Sequence, residues 1–183
     1  MNLEEVKSKI AKFVKEELYT LEPWILNCEW EQKLPKLNEL RDKVKLQGLW
    51  LPQIPKEYGG LGLSNAEHGE VSEILGASPY GHYVFNCQAP DAGNMEILIE
   101  FGTKEQKDKY LKPLLKGDIR SCFAMTEPNF AGSNPVNMGT VAEKEGENYI
   151  INGHKWFASG FDGAEFAIVM LISNPDSENP HKK

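Results

Sequence analysis

The side chains best suited to chemistry lie in two strings, SCFAMTEPNFAGSN starting at Ser121 and GENYIINGHKWFASG starting at Gly146. The first ends an alternating stretch on the Thr126 hydroxyl and the Glu127 carboxylate, then turns through Gly132, Ser133 and Asn134. The second carries the aromatic pair Trp156 and Phe157, followed by Ala158 and the Ser159 hydroxyl. On residue types alone these positions have an ordinary explanation. Phe123 and Met125 alternate as core residues do in any strand, Ser133 and Asn134 suit any turn, and Trp156 and Phe157 suit barrel packing. Glu127 precedes Pro128 and invites a reading as a general base. A lone carboxylate at a strand end is more often solvated or hydrogen-bonded, so it receives no catalytic role.

Other chemistries find less support. His68 and His82 have no Ser or Cys nucleophile pattern near them, and no G-x-S-x-G occurs. The three cysteines, Cys28, Cys87 and Cys122, form no C-x-x-C pair and never stand at metal-ligand spacing with the four histidines; this reads as reduced thiols and no metal. Gly60-Leu61-Gly62 follows no strand, lacks the third glycine of a dinucleotide fingerprint, and has Pro52 and Pro55 where that strand would be.

The balance of 20 basic against 27 acidic residues, net -7, leaves no footprint for a phosphate backbone, so nucleic acid is not an expected partner. It does not exclude an anionic cofactor, because backbone amides and a few local donors bind a pyrophosphate against an adverse net charge. A hydrophobic content of 40% suffices for a core. No window approaches the roughly 18 apolar residues a membrane span needs, and no targeting signal is visible, so the expectation is a soluble protein of the cytoplasm or an organelle matrix.

Elements that would position the two strings follow from periodicity. Apolar residues from Leu3 to Leu21 recur at three and four, predicting a helix stopped before Pro23; Trp30 to Leu46 predicts a second, shortened or kinked at Pro35. Gly48 to Gly62 is a loop. Ser64 with Glu67 opens a helix toward Ala77, Asp91 to Phe101 reads as another, and Thr103 with Gln106 caps one through Leu115. After Lys116-Gly117-Asp118 the period becomes two. Strands are expected from Ile119, over Val136 to Glu145 and Tyr149 to Asn152 around Gly146-Glu147-Asn148, over Lys155 to Ser159 after an Asn152-Gly153 hairpin, and over Glu165 to Ile172. The tail SNPDSENPHKK is polar and reads as unstructured. The fold class expected is α+β by segments: an all-α helical bundle over 1–117, then a partial antiparallel β-barrel over 118–183. Four or five strands do not close a barrel, so either the reading frame is cut short or the missing strands come from another polypeptide.

At these strings the sequence resembles the acyl-CoA dehydrogenase family, and KEYGGLGLSNAE, FNCQAPDAGNMEIL and FGTKEQKDKYLKPLLKGDIRS extend the likeness through the helical region. Within the family, the spacing of TEPNFAGSN and the paired aromatics look most like members 10 and 11. The resemblance implies FAD as cofactor, an acyl-CoA substrate, an electron-transfer flavoprotein or similar acceptor, a homo-oligomer, and a place in fatty acid beta-oxidation. It implies that Phe123 and Met125 contact the flavin ring, Thr126 offers its hydroxyl and amide to the pyrimidine, and Gly132 and Ser133 hold pyrophosphate, with Ser133 also near the substrate. Phe157, flanked by Ala158, would stack on the flavin, and the Ser159 hydroxyl would sit near N5. Three positions depart from the commoner pattern: Phe157 stands for tryptophan, Ser159 for threonine and Asn134 for aspartate. The resemblance places the catalytic base in a C-terminal helical domain not contained in these residues, so no catalytic residue is assigned and the 183 residues alone are expected to be inactive. Two other readings stay open at this stage: an inert binding or assembly partner, and an acyl-CoA oxidase on the same scaffold.

Overall fold

Short-range capping decides where the helices begin. In the computed structural model, which describes residues 1–131 and 134–182, Asn2, Ser64 and Thr103 each accept the amide three residues on, and the side chains of Glu5, Glu67 and Gln106 reach back to the cap amide. These boxes satisfy donors that a helix start otherwise leaves to water. The helices are α1 (Leu3–Phe13), α2 (Tyr19–Ile25), α3 (Trp30–Leu46), α4 (Asn65–Leu75), α5 (Gly81–Val84), α6 (Asp91–Phe101), α7 (Lys104–Gln106) and α8 (Lys112–Lys116). A π turn, Val14–Leu18, joins α1 to α2, and another, Lys107–Leu111, joins α7 to α8.

Pro23 does not stop the first helix and Pro35 does not shorten the second. The first helix runs past Pro23 to Ile25, and α3 is uninterrupted at Pro35. Both prolines are exposed, and so are Tyr19 and Glu31 four residues earlier. At exposed positions a carbonyl left without its helix donor has access to water, which reduces the cost.

The chain divides into two compact units, Met1–Ala92 and Gly93–Lys183. In the first, α1 packs on α4 and α3 on α5, with Val6, Ile10, Leu37, Leu40, Val71 and Phe85 among the buried side chains. The rings of Phe13 and Phe85 meet edge to face at 5.4 Å. The loop after α3 is tied in by the Leu51 amide to the Phe85 carbonyl and by the buried Arg41, whose guanidinium lies 4.9 Å from the Trp50 ring and 4.7 Å from that of Tyr83. Gly60 is required there, since a Cβ would stand 2.0 Å from the Ile54 carbonyl oxygen.

In the second unit the described strands are β1 (Ser121–Ala124), β2 (Val141–Glu145), β3 (Asn148–Asn152) and β4 (Phe166–Val169). β1 pairs with β4 in parallel, Ser121 opposite Phe166, whereas β2 and β3 form an antiparallel hairpin about Gly146-Glu147. A parallel bridge from Val141 to Ile172 continues the β4 path to the hairpin. The buried Asn94 on α6 donates to the Ser121 hydroxyl at 2.9 Å and the Cys122 carbonyl at 3.0 Å, securing the start of β1.

A helical region followed by a small sheet region is thus present, but the sheets differ from the antiparallel barrel expected. Among the described residues there are two two-stranded sheets, one of them parallel, and no closed barrel. Residues 136–140 are not a strand: Val136 bonds back to Asn134, and the amides of Gly139 and Thr140 point to Glu127. The segment from Lys155 to Ser159 is not a strand either. Its path turns at Phe157, which holds a left-handed φ of 51°. At the C-terminal end, Pro180–Lys182 forms a 3-10 turn where no structure was expected.

Candidate functional site

The two chemistry-bearing strings meet just beyond β1. Thr126 donates its hydroxyl to the Trp156 carbonyl at 2.6 Å, and the Trp156 amide returns a bond to the Thr126 carbonyl at 3.1 Å. Beside this pair the Lys155 ammonium donates to the Met125 carbonyl and to Glu127 Oε1, each at 2.8 Å. Lysine therefore grips the residue before Thr126 and the residue after it.

Glu127 is 4% exposed, and its carboxylate is fully engaged. Oε2 accepts the Gly139 amide; Oε1 accepts the Thr140 amide at 2.9 Å, the Thr140 hydroxyl and Lys155. Burial alone would push the carboxyl pKa up, but the Lys155 ammonium, the Thr140 hydroxyl and the two amides outweigh it. The carboxyl is held at about 2 against an ordinary 4.5. A carboxylate that weak in basicity, with its lone pairs already taken, is a structural anchor rather than a proton acceptor.

The fastening presents an aromatic face. The Trp156 and Phe157 rings lie 4.7 Å apart, tilted by 44°, and Phe157 is 81% exposed. A bulky residue with positive φ is uncommon, and here no burial of its own side chain offsets the strain. Phe123, Met125, Thr126 and Ala158 are half-buried and Ser159 is exposed, its amide bonded to the Phe157 carbonyl. Because the Thr126 hydroxyl hydrogen is committed to Trp156, the donor it leaves for a ligand is its backbone amide, which has no acceptor among the described residues. Gly132 and Ser133 lie outside the described residues. Asn134 is described, and its side-chain oxygen accepts the Val136 amide, closing an Asx turn.

Beside Glu127 a cleft of about 190 Å³ is lined by Pro128, Asn129, Phe130, Gly153 and His154. It is smaller than the roughly 300 Å³ of an ordinary small-molecule pocket, so it does not enclose a large planar ligand. Sequence reasoning singled out Thr126, Phe157 and Ser159 and passed over Lys155, Thr140 and Gly139. The available signal was the lysine just ahead of the aromatic pair. Among the described residues no group of three or more His, Cys, Asp or Glu could hold a metal ion, and no helix is long and apolar enough to cross a membrane.

The chain is similar in sequence and in fold to known proteins. Residues 2–118 match the model of the acyl-CoA dehydrogenase N-terminal domain and residues 122–183 that of the acyl-CoA dehydrogenase middle domain. Acyl-CoA dehydrogenase family member 10 of Mus musculus is 39% identical over 94% of this chain, and family member 11 of Gallus gallus 39% identical over 98%. The chain spans only 17% and 24% of their lengths. A candidate acyl-CoA dehydrogenase from Mycobacterium abscessus superimposes with a TM-score of 0.88 at 36% identity, over 97% of this chain and 47% of that one. A glutaryl-CoA dehydrogenase from Mycobacterium smegmatis in complex with FADH2 superimposes with a TM-score of 0.70 at 25% identity, over 94% of this chain and 42% of that one.

Proposed function

The chain belongs to the acyl-CoA dehydrogenase family, and on that premise we propose that it contributes one wall of a flavin site for the α,β-dehydrogenation of an acyl-CoA thioester to a trans-2-enoyl-CoA. The observation that carries the reading is the joining of the two strings at Thr126 and Trp156, which holds an exposed aromatic plane beside an open backbone amide. Those features suit a flat ring system with acceptor oxygens at one edge, so the residues present fit FAD. Bound there, FAD would supply the acceptor for the substrate's β-hydride.

In this reading the residues share the work of holding and orienting. Phe157 gives a stacking plane, Phe123 and Met125 contact the ring edge, and the Thr126 amide donates to the pyrimidine, where a fixed donor stabilises developing negative charge. Ala158 and Ser159 continue the wall, with the Ser159 hydroxyl toward N5. Gly132 and Ser133 bind pyrophosphate through amides and one hydroxyl, and Ser133 also borders the substrate. Residues 1–117 and 118–183 then serve as the family's helical and middle domains, with an electron-transfer flavoprotein or similar acceptor reoxidising the cofactor in a homo-oligomer. Because the Glu127 carboxylate is anchored as an ion pair, it is not the base in this reading.

The test is flavin retention. The purified full-length protein should keep FAD through gel filtration, and an acyl-CoA should bleach it and pass electrons to a dye. Thr126→Val, which breaks the bond to Trp156, should weaken FAD binding by about 1–3 kcal/mol. A full-length protein that holds no FAD would sink the reading.

A further inference from the structure

The segment carrying Trp156 and Phe157 has no strand ladder to set its height. Within 153–158 the bonds to the β1 exit are the two between Thr126 and Trp156 and the two from the Lys155 ammonium, to Met125 and Glu127. Lys155 has a side chain 13% exposed, although lysine stems are usually mobile and hydrated. A buried ion pair is weak grounds for stability, because desolving both charges cancels most of their attraction. What such a pair does provide is a fixed geometry. The Glu127 end is itself immobile, held by the Gly139 and Thr140 amides, so Lys155 ties the aromatic segment to the head of β2 and to the exit of β1 at once.

We propose that Lys155, paired with Glu127, is a positioning residue that fixes the Trp156–Phe157 face relative to Thr126, so that the wall of the site is set from behind by a buried ion pair. The cofactor part of this inference rests on the flavin reading above; the coupling of Lys155 to the segment does not. Lys155→Met keeps the length and apolar stem while removing the charge and the donor. It leaves Glu127 with its amide and hydroxyl partners, and combination with Glu127→Gln covers the case in which an unpaired charge prevents folding.

Hydrogen exchange on the full-length protein stripped of flavin reads the segment directly. In Lys155→Met the Trp156 amide should exchange about tenfold faster or more, while the β2–β3 hairpin keeps its protection. FAD affinity, followed by flavin fluorescence, should fall about tenfold, the scale at which losing a supporting contact disturbs a positioned site. Lys155→Arg should restore much of both. Leu114→Ala, a core change in α8, should lower thermal stability without a selective effect on Trp156. Wild-type exchange over 153–158 in a folded Lys155→Met protein overturns the proposal, as does a loosened segment with unchanged FAD affinity. Failure of the wild type to bind FAD would instead overturn the flavin reading and the cofactor part, while the exchange result still decides whether Lys155 positions the segment.

Discussion

Two irregular segments of this protein place a tryptophan just before a non-glycine residue of left-handed φ and set a cation beside it, and they use that arrangement in opposite ways. At Trp50-Leu51, φ of Leu51 is 56°, and Arg41 and Lys45 lie over the Trp50 ring. Both Trp50 and Leu51 are buried. At Trp156-Phe157, φ of Phe157 is 51°, Lys155 is paired with Glu127, and Phe157 is exposed. In the first segment the strained backbone is offset by packing: the kink turns Leu51 into the core. In the second, no burial of the Phe157 side chain offsets it, and the backbone is held instead by the bonds from Thr126 and Lys155. Backbone strain at an exposed position is the kind that clusters at functional sites.

Breaking the first segment should have the largest effect. Arg41→Met uncovers the Trp50 and Tyr83 rings and takes donors from the Tyr83 carbonyl and Asn86; it should cost about 3 kcal/mol in chemical denaturation. Leu51→Gly relieves the backbone but empties a core position, for a net loss of about 2–3 kcal/mol by the same measurement.

Acid should separate the two units that carry these segments by pH window. Burial lowers the pKa of His68, helped by the nearby His82, and burial likewise lowers that of His82. A depressed histidine contributes stability above its ordinary value of 6.5 that is lost as pH falls below it. Glu127, held at about 2 against 4.5, contributes stability that persists until pH drops below 4.5 and then fades toward 2. Unfolding followed against pH should therefore show a first loss removed by His68→Gln with His82→Gln, and a second removed by Glu127→Gln. A single transition insensitive to Glu127 would show that the carboxylate is not held as described.

The smallest change is expected from Phe157→Gly. Relief of the left-handed φ and the entropy cost of glycine nearly cancel, so stability should stay within about 1 kcal/mol of the original. A large loss would mean that the Phe157 ring is a packing element after all, and the contrast between the segments would fail.

The parts of the fold that were legible in the sequence are those fixed within a few residues. Ser64 with Glu67 and Thr103 with Gln106 gave their helix starts because each box closes over three positions. The helical stripe from Leu3 and the turn at Gly146 were readable for the same reason. Pro23 misled because what a proline does to a helix depends on its tertiary surroundings as well as on its neighbours in sequence. Residues 155–159 misled more deeply. Their apolar character suits a strand, but their path is set by Thr126 and Glu127, about 30 residues away. Of the candidate site, the aromatic pair and Thr126 stood out through the family resemblance, since their types alone suit any strand or turn. Lys155 and Thr140 did not, because a surface lysine and a buried anchoring one look alike until the carboxylate between them is placed.

The pairing of β1 with β4 has a consequence for how the second unit is assembled. Ser121 and Phe166, in register in that sheet, are about 45 residues apart in sequence, whereas the β2–β3 hairpin closes over Gly146-Glu147. Hairpin formation takes on the order of microseconds, while a distant parallel pairing must meet the entropy of closing a long loop before any contact rewards it. The hairpin and the α6 contact to β1 through Asn94 can form early, and β4 docks last. Substitutions in β4, such as Ile168→Val, should then speed unfolding and leave the folding rate nearly unchanged, whereas weakening the Gly146 turn should slow folding itself.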